Sequence, residues 1–365
     1  MTKISPLMRK TAASSRQIEA LIRRQLESGA LGVSDVLRSE RDLAAEYGVS
    51  RGTVRRALAR LVGVGYLVSR PRGGYEVAQT PADRSGDGPI AFVHDDYADP
   101  GEWNTTNMAF WNGAQKVSIG AGRAMLVMGM AGRRPEAVAR SLREQGACGA
   151  IVNSDDAQVA EAIANIGMPA VLMDNVAGSR VPSVTQDNFG GAMQAAGRLI
   201  ERGRRRLAFL GCDFSPNPNR VHLDERTGGY LAALRRAGLE GRPEWHILGH
   251  PVEGAVARLV ELAGAPDGPD GAVVLWPQLL DDLGEALAAG RLRLDVVVWW
   301  GCDVARQRDG WRERFPGVPV PDGMEWSADD VARLALMHLN ERIKNPRAGG
   351  SRALAPVRLI PGDNG

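Results

Sequence analysis

The sequence predicts a multidomain α/β chain, a small winged helical head ahead of a two-lobed body built on parallel sheets. Three observations carry that expectation. Ser39 and Ser50 each sit where a helix can start, and only Gly48 and Val49 separate the first helix from the second start. From Ile90 onward, short apolar runs alternate with amphipathic stretches. Charge is also split along the chain. Residues 1–78 carry 14 Lys/Arg against 7 Asp/Glu, and the remainder 31 against 36. A basic head on a mildly acidic body points to nucleic acid at the head alone.

Residues 1–13 hold Lys3, Arg9 and Lys10 without an apolar period and read as a tail. Ser14 and Gln17 are spaced as a capping box, opening a helix whose apolar face is Ile18, Leu21, Ile22 and Leu26, with Gly29 as its stop. Ser39 caps the next helix, with Asp42 in its first turn, Leu43, Ala44 and Tyr47 on one face, and Gly48 at its end. Ser50 caps a third helix at once. So short a turn forces the two to cross, as in a helix-turn-helix. Val54, Ala57, Leu58 and Leu61 form the buried stripe of the third helix. Arg51, Thr53 and Arg55 fall off that stripe, near the end that enters the major groove in such motifs. Tyr66–Ser69 and Tyr75–Val77 read as strands joined by a basic wing, Pro71-Arg72-Gly73-Gly74.

This stretch resembles the winged helix of GntR-type bacterial transcription regulators. The resemblance rests on Ser39, Arg41, Leu43-Ala44, Gly48-Val49-Ser50-Arg51, Thr53-Val54-Arg55, Ala57-Leu58, Leu61, Gly65 and Gly73-Gly74. Arg38 departs from it, standing where the family usually has proline. The set expected to contact DNA is Ser39, Arg41, Ser50, Arg51, Thr53 and Arg55, with Arg72 and Gly73 of the wing on the adjacent backbone or minor groove. Arginine is the commonest reader of guanine.

Residues 79–88, rich in Pro, Ser and Gly, read as a linker between a head at 14–78 and a body at 89–362. The apolar runs of the body are Ile90–Val93, Ala124–Met128, Gly149–Val152, Ala170–Met173, Leu207–Leu210, Ala272–Leu275 and Val296–Trp300. Fully apolar strands alternating with helices mean parallel sheets covered on both faces. There are more units than one small sheet needs, so two lobes are expected, with ligand at the carboxyl ends of the strands.

The body resembles the effector-sensing domain of LacI-type repressors, which is itself similar to periplasmic sugar-binding proteins. Three stretches carry the likeness: Val181–Asn188 running on to Gly211, Glu225-Arg226 running on to Leu239, and Asp295–Asp303. The resemblance implies three crossings between lobes, near Thr185–Asp187, near Met324–Ser327, and after the helix ending around Lys344. It also implies that Arg226 and Asp303 hydrogen-bond the hydroxyls of a polyol effector, a donor fork and a carboxylate suited to that task. Trp276 or Trp326 would stack on a sugar ring, and Trp103, Phe110 and Trp111 are further aromatic candidates. Two departures stand out. Trp276-Pro277-Gln278 replaces the Asn-Asp common after that strand, and Trp326 replaces a glutamine. The pocket therefore reads a different ligand, or none.

Other signals point away from chemistry. Gly120-Ala121-Gly122 precedes a strand instead of following one, so it reads as a helix stop and not a dinucleotide loop. His246 and His250 lie on a strand and loop, not one helical face, and no metal site is expected. Cys148, Cys212 and Cys302 are far apart and odd in number, as for reduced cytosolic thiols. No signal segment, membrane span, phosphate loop or nucleophile elbow is evident. The expectation is a cytoplasmic, nucleoid-associated bacterial transcription regulator, not an enzyme, without cofactor. It would bind double-stranded operator DNA as a homodimer under control of a small polar effector, as a sugar-relieved repressor. A ligand-independent regulator with a degenerate sensor, or an activator, is the alternative.

Overall fold

The computed structural model describes residues 13–27, 30–32, 35–63, 66–70, 74–77, 88–95, 105–130, 132–154, 156–175, 181–211, 221–248, 252–345 and 350–363. The chain divides into two compact units, Met1–Gly88 and Pro89–Gly365.

In the head, α1 (Ser15–Glu27) opens on the capping box, Ser14 N–H donating to Gln17 Oε1 at 2.7 Å and Gln17 N–H to Ser14 Oγ at 3.3 Å. Its Ile18, Ile22 and Leu26 are buried, but Leu21 is exposed, so the stripe is narrower than the sequence period suggested. Helix α2 (Glu40–Tyr47) starts at Ser39, whose hydroxyl accepts from Asp42 N–H, and ends at Gly48 with φ 65°. Glycine carries no Cβ penalty in that left-handed turn. Ser50 Oγ then accepts from Thr53 N–H at 3.1 Å and opens α3 (Arg51–Gly63). Val54, Ala57, Leu58 and Leu61 are fully buried against α1 and α2. Strands β1 (Leu67–Ser69) and β2 (Tyr75–Val77) pair antiparallel. A further bridge, Val36 to Glu76, adds a strand position that the sequence did not announce. The wing tip, with Arg72 and Gly73, lies outside the described residues, as do the helix stop Gly29, Gly65, Cys212, His250 and Trp103.

Among the described residues, the body holds two six-stranded sheets. The first runs in the order β13-β7-β6-β5-β3-β4 and is parallel throughout. Its strands are β3 (Ile90–His94), β4 (Met125–Gly129), β5 (Gly149–Asn153), β6 (Ala170–Met173), β7 (Ser183–Gln186) and β13 (Arg352–Ala355). Helices α4 (Thr105–Gly120) and α12 (Ala328–Lys344) pack together, and α5 (Pro135–Glu144) packs on α6 (Gln158–Asn165). Their apolar residues fall into two separate core clusters. Gly122 has φ 68° just after α4, the helix stop anticipated for that glycine pair.

The second sheet runs β14-β12-β11-β10-β8-β9. Its strands are β8 (Leu207–Leu210), β9 (His246–Ile247), β10 (Gly271–Val274), β11 (Asp295–Gly301), β12 (Asp322–Trp326) and β14 (Val357–Ile360), and only β14 is antiparallel. With it go α7 (Asn188–Glu201), α8 (Val221–Arg236), α9 (Val252–Ala263), α10 (Leu280–Ala288) and α11 (Val304–Arg314).

The chain crosses between lobes after β7, between β12 and α12, and between β13 and β14 at Pro356. The strand order reverses at β3/β5 in one sheet and at β8/β10 in the other. In such sheets the crevice beyond the carboxyl ends at that reversal receives ligand.

Candidate functional site

The tip of α3 is the candidate DNA-contact surface. Ser50 and Thr53 hydroxyls lie 2.8 Å apart at the helix cap, and Ser39 Oγ donates to Asp42 Oδ2 at 2.7 Å. The two serines are thus engaged first in starting helices. Arg51 is exposed, and Arg41 is 83 % exposed with only a 3.7 Å approach to Asp42. Arg38, the departure from proline, reaches back to Glu46 at 3.2 Å. Arg55 differs. Its Nε donates to both Glu40 oxygens at 3.1 and 3.2 Å, its Nη2 donates to Oε2 at 2.8 Å, and Tyr75 Oη donates to the same carboxylate at 3.2 Å. The Arg55 hydrogen bond is the main force holding the Glu40 carboxyl below its ordinary range, with further help from Tyr75 and the nearby charge of Arg51.

The second candidate is the crevice between the lobes. One wall is made by residues just past β3, β5 and β6. Ser154 Oγ donates to Asp95 Oδ1 at 2.6 Å, and buried Asn175 donates to the Ser154 carbonyl at 2.8 Å. Asp174 follows β6 with φ 62°, the left-handed region, which costs a non-glycine residue about 1 kcal/mol. Strain of this kind gathers at binding sites. Asp174 Oδ1 accepts from Gln186 Nε2 at 2.8 Å and lies 3.4 Å from His222 Nε2 on the opposite lobe. Burial pushes its carboxyl up, opposed by His222, Gln186 and Arg226.

The facing wall is organised by Asn188 and α8. Helices α7 and α8 approach closely because residue 229 is glycine. A Cβ there would lie 2.0 Å from the Phe189 carbonyl oxygen. That approach sets Arg226 beside Asn188, whose Oδ1 accepts from Arg226 Nε at 2.9 Å. Arg226 Nη1 donates to the Leu275 carbonyl at 3.2 Å, and its guanidinium lies over the rings of Trp299 at 3.9 Å and Trp276 at 4.7 Å. Only 4 % of the residue is exposed, and burial lowers its pKa to about 9 against the pull of Asp174 and Glu225. Asn188 Nδ2 also donates to His222 Nδ1 at 3.1 Å. An accepting Nδ1 leaves the His222 proton on Nε2, facing Asp174. A second pair crosses between the lobes, Arg352 Nη2 to Glu225 Oε2 at 2.7 Å, with Arg352 also donating to Thr185.

Asp303 caps α11 with no side-chain cap bond of its own. Burial, followed by the neighbouring charges of Asp303 and Asp174, pushes the Cys302 thiol up to about 11. Asp303 follows β11 at the carboxyl end of its sheet, as Asp174 follows β6 in the other lobe. Arg226 and Trp276, each expected to meet a ligand, lie against one another, and among the described residues Arg226 and Asp303 form no ion pair. Trp326 is different: it is buried and stacked on Phe110 at 5.1 Å between ring centres, so its face is taken up by core packing. Trp111 likewise packs edge-on against Phe92.

Sequence reasoning passed over Asp174, Asn188 and His222. An acidic residue directly after the apolar run Ala170–Met173 was the available signal for Asp174, whereas Asp303 was selected by the family resemblance. Among the described residues no group of His, Cys, Asp and Glu could hold a metal ion, and no helix is long and apolar enough to cross a membrane.

Residues 14–77 match the family model of bacterial regulatory proteins of the gntR family. Residues 104–262 match that of periplasmic binding proteins and the sugar binding domain of the LacI family. No curated protein matches the chain. Among solved structures it is similar to a transcriptional regulator CelR–cellobiose complex, with 21 % identity, 90 % of this chain and 100 % of that one covered, and a TM-score of 0.62. It is similar also to transcription regulator CcpA of Lactococcus lactis, at 17 % identity, 75 % and 98 % coverage and a TM-score of 0.58. A third is a LacI family transcriptional regulator from Enterococcus faecium with bound ribose, at 17 %, 75 % and 97 %, and 0.55. At these identities the likeness concerns the fold.

Proposed function

We propose that this chain, which joins a gntR-type helix-turn-helix to a LacI-type periplasmic-binding domain, is a cytoplasmic repressor released from operator DNA by a small polyol effector, most simply a sugar. The observation that carries the reading is the crevice. Polar and charged groups from both lobes meet there beyond the ends of parallel strands, next to a half-buried tryptophan. Arg226, Asp303, Asp174 and His222 supply donors and acceptors suited to adjacent hydroxyls, and Trp276 offers an apolar ring face. The solved structures with cellobiose and ribose support the ligand class by analogy of fold.

Ligand bound to both walls favours the closed body. It can shift operator affinity only by its differential affinity for the open and closed forms, typically about 1–3 kcal/mol of coupling. Thermal denaturation in the presence of a sugar library tests this. An effector at about 100 times its Kd stabilises by about 2.7 kcal/mol. Asp303 is only half-buried and can be altered with little structural cost. Asp303→Ala should weaken that stabilisation and the release from operator by about tenfold or more, the loss of a charged hydrogen bond. A library without any hit, or an Asp303→Ala protein with wild-type midpoints, counts against the sugar-sensing reading.

Paired half-sites require a two-fold protein. The full chain is therefore expected to sediment as a dimer at micromolar concentration, and residues 1–80 alone to be largely monomeric and to bind DNA poorly. A full-length protein that stays monomeric with DNA present would refute this.

A further inference from the structure

Resting on the DNA-binding reading above, we propose that Glu40 and Tyr75 are positioning residues. They lock Arg55 into a base-reading pose and deny its charge to non-specific phosphates.

The argument begins with the five N–H donors of a guanidinium. Glu40 occupies the side-on edge of Arg55, Nε and one Nη2 proton, through a two-oxygen grip. What remains is the end-on edge, the Nη1 pair and the second Nη2 proton, facing away from Glu40. Two parallel donors on that edge match O6 and N7 of guanine. Arg55 has 63 % of its side chain exposed, whereas Glu40 has 16 %. The grip is therefore sheltered and the reading edge is open. Tyr75 Oη, from the wing strand β2, donates to the same carboxylate and ties the wing to the pair. Glu40 lies in the first turn of α2, where the helix dipole favours a carboxylate.

An acid beside a DNA-contacting face repels phosphate. Here it also neutralises Arg55, so Arg55 adds little to the grip on arbitrary sequence. Arg41 and Arg51 remain to supply that grip. A guanine presented in the plane of the held guanidinium regains the interaction, but a misplaced phosphate does not. Discrimination thus comes partly from weakening the wrong complex.

The test uses the full-length protein, sites selected from random duplexes by the wild type, and one random-sequence duplex as the non-specific probe. Glu40→Gln keeps the shape and removes the charge. Its affinity for random duplex should rise several-fold at low salt, and its salt slope should steepen by about one. Its ratio of specific to non-specific affinity should fall by about tenfold. Tyr75→Phe leaves the charge alone, so it should lower the ratio more modestly, with non-specific affinity and salt slope unchanged. A pair with a purely structural role would lower both affinities together. If both variants keep the wild-type ratio while the wild type selects a defined site, this inference is overturned and the regulator reading stands. If the wild type selects no site, both fall.

Discussion

Asp322→Ala is expected to destabilise the body by about 3–5 kcal/mol, the range for breaking a buried ion pair from one side. The Asp322 side chain is 0 % exposed at the start of β12. One of its oxygens accepts from Arg198 Nε at 2.6 Å and lies 3.0 Å from Arg202 Nη2, and the other accepts from Gly362 N–H at 2.6 Å. Truncation leaves two largely covered guanidinium groups and one backbone donor without their acceptor. Both arginines keep about a fifth of their side chains in solvent, so the lower end of the range is the better expectation. The pH dependence has a definite sign. Burial raises the Asp322 carboxyl, but the Arg198 bond, the Gly362 amide and the Arg202 charge outweigh it and hold it below its ordinary value. A carboxyl depressed on folding contributes stability that is complete above its unfolded pKa and is lost as pH falls through the folded one. The gap between wild type and variant in urea unfolding should therefore be widest near neutrality and narrow below about pH 4. A gap of less than about 1 kcal/mol at pH 7, or one that widens in acid, would show that the cluster is not what anchors β12.

What was legible in the sequence was local. Both helix caps of the reading motif, the αL glycine between them and the stripe Val54, Ala57, Leu58, Leu61 are consequences of nearest-neighbour chemistry. The strands Ala170–Met173 and Leu207–Leu210 match their apolar runs to the residue. The crossing points between lobes were also readable, but through family likeness and not through any local pattern. The less readable strands were β7, β13 and β14. Ser183-Val-Thr-Gln and Arg352-Ala-Leu-Ala are not apolar runs, and they become strands because β13 and β7 pair with each other. The site was harder still. Arg55 stands off the buried stripe of α3 and so looked free, yet a carboxylate 15 residues earlier holds it. Trp326 lies at a strand end and looked available to a ligand, yet Phe110 from a helix more than 200 residues earlier covers it. Spacing along one element cannot report what the other elements bring to it.

Arg226 carries the other large effect, and it falls on two measurements at once. Its guanidinium is the donor to Asn188 and to the Leu275 carbonyl, and it fills the space between Trp276 and Trp299. Arg226→Ala should leave two buried acceptors unmet and a void between two indoles. Together these are expected to destabilise the body by about 2–4 kcal/mol. Loss of ligand response alone would then be ambiguous, since a loosened wall could cause it. Arg226→Lys separates the causes. Lysine keeps a positive charge at a similar reach, but it lacks the planar fork and the stacking face. It should recover part of the stability while leaving effector affinity weakened by about tenfold or more, if the fork itself grips adjacent hydroxyls. Asn188→Ala offers an independent check, because it frees Arg226 Nε without removing the charge, and it should shift effector affinity less than either substitution at 226. The decisive readout is a titration of the effector found by thermal denaturation, followed as release of each variant from operator DNA. Ligand-free operator binding should stay close to wild type for Arg226→Lys. A lysine variant with a wild-type release midpoint would mean that Arg226 supports the crevice wall and does not touch the ligand. Recognition would then fall to the remaining polar groups of the crevice, Asp303, Asp174 and His222.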